Sequence, residues 1–249
     1  LKRSEVLTGL AVRAGLLAGT LLAAACATAP SHPVSHRDEF PLDPREELGG
    51  PFSEETLRGC AALAAGDAQA AETAFAAARL GGAPRLAGEI GWIEAVVLQG
   101  RPAETFRSCE RLLGAGDPTL PLLVACGEAH FRAGDAVAGL ALYRRALARV
   151  PDRPGVGRRA EELRLAAREQ WLARARAAAS AKEWARGRSA IAEAIALSPE
   201  SAALRAAAGD LEAEAGEKAA ALRRYREAME MEPRNLAVLE KAATLALEL

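Results

Sequence analysis

The stretch Gly134–Pro151, GDAVAGLALYRRALARVP, decides the fold. It opens on a Gly-Asp turn pair, continues with apolar residues at helical spacing, and stops at a proline, which cannot continue a helical hydrogen-bond ladder. Gly66–Arg79 (GDAQAAETAFAAAR) and Gly216–Pro233 (GEKAAALRRYREAMEMEP) follow the same pattern. Aligned on one another, the stretches give a fixed period. Gly66, Gly100 and Gly134 are 34 residues apart, as are Phe75, Cys109 and Tyr143, and Ala78, Leu112 and Ala146. After a 14-residue insertion the register resumes with Lys182 and Gly216, Ile191 and Tyr225, Ala194 and Ala228, and Pro199 and Pro233.

A 34-residue helix–turn–helix period resembles the tetratricopeptide repeat family. That family places small residues where its two helices cross, which lets the axes approach closely. Here these positions hold Gly59, Gly127, Ala175 and Gly209 on first helices, and Ala71, Thr105, Gly139, Gly187 and Ala221 on second helices. The large residue between repeats is Phe75, Tyr143, Ile191 or Tyr225, with Ala146 and Ala228 at the next small position; Trp171 stands at the family's tryptophan position. Repeat two departs from the pattern, with Ile93 at a small position and Cys109 at the aromatic one. The resemblance runs from Phe52 to the C-terminus and implies an all-α fold, a right-handed superhelical solenoid of helix–turn–helix repeats. A low aromatic share, 4 % against 50 % apolar residues, also favours close-packed helices over a β-sandwich.

The expected organisation is a signal segment over 1–25, a lipidated cysteine and Pro-rich tether over 26–51, and repeats over 52–85, 86–119 and 120–153. An insertion follows over 154–167, then repeats over 168–201 and 202–235 and a capping helix over 236–249. Terminal repeats need such a cap to cover an apolar face. Fourteen inserted residues make about four turns, so they lengthen the next helix without rotating its buried face. The pattern predicts one helix of about 24 residues, protruding beyond its neighbours; a short separate helix with a kink is the alternative.

The N-terminal segment reads as export. Lys2, Arg3 and Arg13 precede the uncharged run AGLLAGTLLAAAC, which is short for a membrane span and suits a signal-peptide core. Ala23–Ala25 before Cys26 resemble a bacterial lipobox, which implies cleavage and acylation at Cys26. A plain signal peptide cut near Ala29, or an uncut anchor, is the competing reading. Ala27 is not Asp, so by analogy with proteobacterial sorting the periplasmic face of the outer membrane is the expected location. Residues 27–50 carry four prolines and no helical period, as an extended tether would.

No catalytic or metal-ligating arrangement is present: the chain has no HExxH, GxxxxGK[ST], GxSxG or CxxC. Gly155–Ala160 matches a dinucleotide fingerprint by letters alone, with no strand before it. Two of the three histidines, His32 and His36, lie in the tether, and His130 falls at a packing position. The charged residues alternate in sign, the net charge is −1, and no nucleic-acid footprint or cofactor is indicated. Cys109 and Cys126 lie on helices that are neighbours in the family, which makes a disulfide one reading and two buried thiols the other.

By position, the resemblance places a partner groove on the first helices, at Thr56, Cys60, Leu63, Ile90, Glu94, Val97, Leu98, Val124, Glu128, Phe131, Arg132, Leu172, Arg176, Ser180, Ala206, Asp210 and Glu214. The Lys and Asn that the family uses to clamp chaperone carboxylates are missing: the corresponding positions hold Thr56, Ile90, Val124, Leu172 and Ala206, and Cys60, Glu94, Glu128, Arg176 and Asp210. The expected function is a non-enzymatic scaffold of the bacterial envelope. It would be anchored through Cys26 and bind a peptide or another envelope protein in the groove, and could assist assembly of an envelope machine. A self-associating structural element is the alternative, and a regulatory part of an enzyme a more distant one.

Overall fold

The computed structural model describes residues 40–81 and 85–249; the signal segment, Cys26, the histidines of the tether and Pro84 lie outside the described residues. The described residues fall into two compact units, one running to Ala125 and one over Cys126–Leu249. Among the described residues every regular element is helical. The first unit holds α1 (Glu54–Ala64), α2 (Ala68–Leu80), α3 (Arg85–Leu98) and α4 (Phe106–Leu113), the last entered through a 3-10 turn at Pro102–Thr105. α5 (Leu120–Arg132) carries the boundary. The second unit continues with α6 (Ala136–Arg149), α7 (Pro154–Ser180), α8 (Trp184–Leu197), α9 (Ala202–Glu214), α10 (Lys218–Met231) and α11 (Leu236–Leu247).

The Gly-Asp pair that opens the repeat word closes one helix and starts the next. Gly66 and Gly134 sit at φ +78° and +88°, in the left-handed region that costs glycine nothing. The Asp67 and Asp135 N–H groups donate back to the Ala62 and His130 carbonyls at 2.9 Å, the pairing that satisfies a helix C-terminus. The same aspartates then accept from the Ala70 and Ala138 N–H groups at 2.9 and 3.2 Å, capping the second helix. Lys182 holds the glycine position of the fourth such turn at φ +58° and makes the same backbone bonds. Glu183 and Glu217 replace the aspartate and make no side-chain cap, being one methylene longer. α6, α8 and α10 each stop two residues before Pro151, Pro199 and Pro233, because the residue ahead of a proline is driven out of the helical region.

The repeat positions pack as one set. Phe75, Tyr143, Ala146, Tyr225 and Ala228 are buried. A Cβ at Gly59, Gly127 or Gly209 would stand 2.6, 2.8 or 2.5 Å from the ring of Phe75, Tyr143 or Tyr225, so only glycine admits the ring. Trp171 is half-buried, with the Arg174 guanidinium 4.6 Å from its ring centroid. Further along the second unit, Ala202, Ala206, Ala221, Tyr225, Ala228, Val238, Ala242 and Leu245 form one apolar cluster, which places α11 against α10.

As expected, the insertion forms a single helix with the rest of α7, 27 residues and about 40 Å long, started by Pro154 in its first turn. Two other expectations are corrected. The inserted turns do not stand bare. Val156, Ala160, Leu163 and Ala167 make a buried stripe at helical spacing, and Leu163 packs against Gly139 on α6. The end of the tether is likewise built into the first unit: residues 43–48 turn on two backbone hydrogen bonds, and Leu42 and Pro44 are buried.

Candidate functional site

The residues assigned to a groove fall into two groups. Thr56, Ile90, Glu94, Val124 and Glu128 are buried, as is Val97, so none of them offers a partner an exposed side chain. Leu63, Leu98 and Phe131 are half-buried, and Arg132 and Arg176 are exposed. The correction has specific causes. Thr56 is drawn into the α1 cap: its N–H donates to the Ser53 hydroxyl at 3.2 Å, and the two hydroxyls lie 3.2 Å apart. Glu94 lies under Leu42, whose N–H donates to Oε1 at 3.2 Å. Its other oxygen, Oε2, is buried with no protein partner. Burial, reinforced by Asp43, raises the Glu94 carboxyl well above the usual carboxylate range, despite the opposing bond from Leu42.

Glu128 is fully buried for a different reason. Its Oε1 accepts from Arg132 Nε at 2.7 Å and its Oε2 from Arg159 Nε at 3.0 Å. The Tyr143 hydroxyl, 3.4 Å away, donates to the same Oε2. Arg159 comes from the extended part of α7 and stacks 4.7 Å from the Phe131 ring centroid, covering Phe131 as well as Glu128. Desolvation first, and Glu128 second, push the Tyr143 hydroxyl far above its ordinary range, so it remains a donor at any working pH. The same design recurs 82 residues on with weaker burial: Tyr225 donates to Asp210 at 2.8 Å, and Lys241 Nζ lies 2.7 Å from that carboxylate.

Five of the groove positions meet in the second unit. Leu172, Arg176 and Ser180 from α7 and Asp210 and Glu214 from α9 line a cavity of about 270 Å³ floored by Ala175, Ile191 and Leu211. Arg176 brings a cation and Glu214 a carboxylate to an apolar floor. In the first unit, Glu89 holds Arg111 at 2.9 Å and Arg79 at 3.0 Å. The Arg79 contact is misaligned for a hydrogen bond and is mainly coulombic, and Arg79 also stacks 4.0 Å from the Trp92 centroid. This cluster ties α2 and α4 to α3.

Sequence reasoning missed Leu42, Pro44, Glu47 and Arg159. The proline-framed leucine of Pro41–Pro44 was the only signal for the first group. Among the described residues no group of His, Cys, Asp and Glu could hold a metal ion, and no helix is long and apolar enough to cross a membrane.

No protein-family model and no curated protein matches the chain. Several solved structures do. A thermophilic tetratricopeptide repeat protein of Thermus thermophilus is 18 % identical over 78 % of this chain and 97 % of its own, with a TM-score of 0.38. A tetratricopeptide repeat protein from Parabacteroides merdae is 16 % identical over 78 % of this chain and 72 % of its own, with a TM-score of 0.36. The TPR2AB domain of yeast Sti1, in a complex with pHSP90, is 19 % identical over 78 % of this chain and 83 % of its own, with a TM-score of 0.38. At such scores the repeat type rests on the hairpins themselves. Second helices start at Ala68 and Ala136, two periods apart, and at Trp184 and Lys218, one period of 34 apart. With their glycine turns and small-residue crossings, these hairpins have the tetratricopeptide repeat fold.

Proposed function

We propose that the chain is a non-enzymatic protein–protein interaction scaffold of the bacterial cell envelope, lipid-anchored through Cys26 at the periplasmic face of the outer membrane. The observation that carries the binding role is the cavity between α7 and α9, lined by Leu172, Arg176, Asp210 and Glu214, positions that the repeat resemblance assigns to a partner groove. Its mixed charges fit a peptide segment bearing both an acidic and a basic side chain, held over an apolar floor. The test is crosslinked capture from envelope extract by the full chain and by Leu172→Asp/Arg176→Glu. The variant should lose the partner while keeping its melting temperature; undiminished capture refutes this groove. Ile90→Asp is no substitute, because Ile90 is buried and the change would report unfolding. Acylation is tested separately, by fatty-acid labelling of the full chain and of Cys26→Ser. Whether Cys109 and Cys126 are bridged is decided by peptide mapping without reductant.

A self-associating element is favoured by one observation: α11 leaves Leu236, Leu239 and Leu247 exposed, and α10 leaves Met231 so. Light scattering at rising concentration decides it, and a monomer throughout refutes it.

A further inference from the structure

Residues 40–48 precede the repeats but occupy a repeat surface of the first unit. Leu42 is 2 % exposed, and its N–H reaches 52 residues along the chain to Glu94 Oε1 at 3.2 Å. Pro44 is buried beside it. Asp43 and Arg45 pair at 2.7 Å, and two turn bonds, Glu46 N–H to the Asp43 carbonyl and Leu48 N–H to the Arg45 carbonyl, bring the segment round. Glu47 Oε2 then accepts the Leu120 N–H at 3.0 Å, an N-terminal donor of α5 that the helix itself leaves unsatisfied. The Arg45 guanidinium lies 5.9 Å from the Phe52 ring centroid. One apolar anchor, one backbone bond to a fixed carboxyl and one acidic residue on a helix N-terminus are the elements by which an extended peptide is held in a groove. Glu94 also stands at one of the positions that the repeat resemblance assigns to a partner groove.

We propose that Phe40–Leu48 is a resident, displaceable ligand of its own repeats. It closes the α3 surface of the first unit, which is a binding site for an extended partner segment of the same chemistry: a proline-flanked leucine followed by an acidic residue at the Glu47 place. The proposal builds on the reading of the chain as a scaffold but is independent of the Arg176 cavity. The connection from Leu48 to Ser53 is short, so the resident segment competes at an effective concentration of about millimolar. An external peptide of ordinary affinity is therefore excluded until the segment is released. Both glycines of that connection, Gly49 and Gly50, are exposed, with nothing within 4 Å of where a Cβ would stand.

The test uses a fluorescent peptide with the sequence of Phe40–Leu48 and the full chain. Leu42→Asp, which empties the anchor, should bind the peptide at least tenfold more tightly than the wild type does. A peptide carrying the same Leu→Asp change should not bind. Should Leu42→Asp fail to give a cooperative melt, a protease site placed between Gly49 and Gly50 gives the second arm. The nicked chain should release its N-terminal fragment on dilution and then take up the peptide. Equal binding by wild type and opened chain, no binding up to 1 mM (about the effective concentration above), or retention of the fragment at nanomolar dilution overturns the proposal. Failure here leaves capture through Leu172 and Arg176 untouched, and failure there leaves this peptide equilibrium untouched.

Discussion

Glu128→Ala tests most directly how the second unit is held. The carboxylate is fully buried and takes Arg132 at 2.7 Å, Arg159 at 3.0 Å and the Tyr143 hydroxyl at 3.4 Å. Removing one member of a buried pair costs about 3–5 kcal/mol, because the desolvated partner is left uncompensated. The Arg159 side chain is 28 % exposed and recovers some water, which places the expected loss at about 3 kcal/mol. A chain of this size loses about 2–4 °C per kcal/mol, so the melting temperature should fall by about 6–12 °C. Glu128→Leu/Arg159→Leu removes both charges together and fills the space with apolar volume. It should recover most of that loss, since a buried ion pair is worth little against well-packed hydrophobic groups. The assay is urea and thermal unfolding of the full chain in a Trp92→Phe background. Trp171 and Trp184 then report the Cys126–Leu249 unit alone. A loss under about 1 kcal/mol for Glu128→Ala, or a double variant no more stable than the single, refutes the reading of this network as a desolvated tie between α5 and the extension of α7.

Other expectations follow from the same geometry. Glu94 has a raised folded pKa, so the folded chain holds a proton that the unfolded chain releases. Its contribution to stability is full below the unfolded carboxylate range and is lost as pH rises through the folded value. Glu94→Gln should therefore be more stable than the wild type at pH 8 and gain little at pH 4, read by urea midpoints; a gap that does not depend on pH removes the assignment. Lys182→Gly relieves a left-handed residue at φ +58° and should stabilise by about 0.5–1 kcal/mol after the entropy cost of glycine. Adding Glu183→Asp supplies the missing cap and should contribute about 1 kcal/mol more, both measured by thermal melts. Gly209→Ala forces a Cβ to 2.5 Å from Tyr225 and should cost about 1–3 kcal/mol. Gly157→Ala on α7, with nothing within 4 Å, should gain about 0.5–1 kcal/mol. Equal effects at the two glycines would show that the ring contact is not what requires Gly209.

The hairpins were legible because their signals are local. A glycine in the left-handed region, an aspartate three residues before the N–H it caps, and a proline two residues past a helix end act within one turn of chain. Periodicity then showed which side of each helix faces its neighbours, and Phe75, Tyr143 and Tyr225 are buried as that pattern requires. What periodicity cannot show is whether a face turned inward is also covered. Glu94 and Arg176 hold the same repeat position, yet Glu94 is sealed under Leu42 while Arg176 lines an open cavity. The difference lies in a segment 52 residues away, with no repeat of its own to announce it.

The sequence by itself determined the helical repeat, its register, its turns and the phase of the long helix, because each depends on backbone preferences and spacing within a few residues. Tertiary structure alone decided which repeat positions remain open. Arg159, on the inserted turns of α7, neutralises Glu128 and roofs Phe131, and Leu42 covers Glu94. Desolvation is a property of everything packed around an atom. It therefore becomes readable only when residues distant in the chain have been brought together.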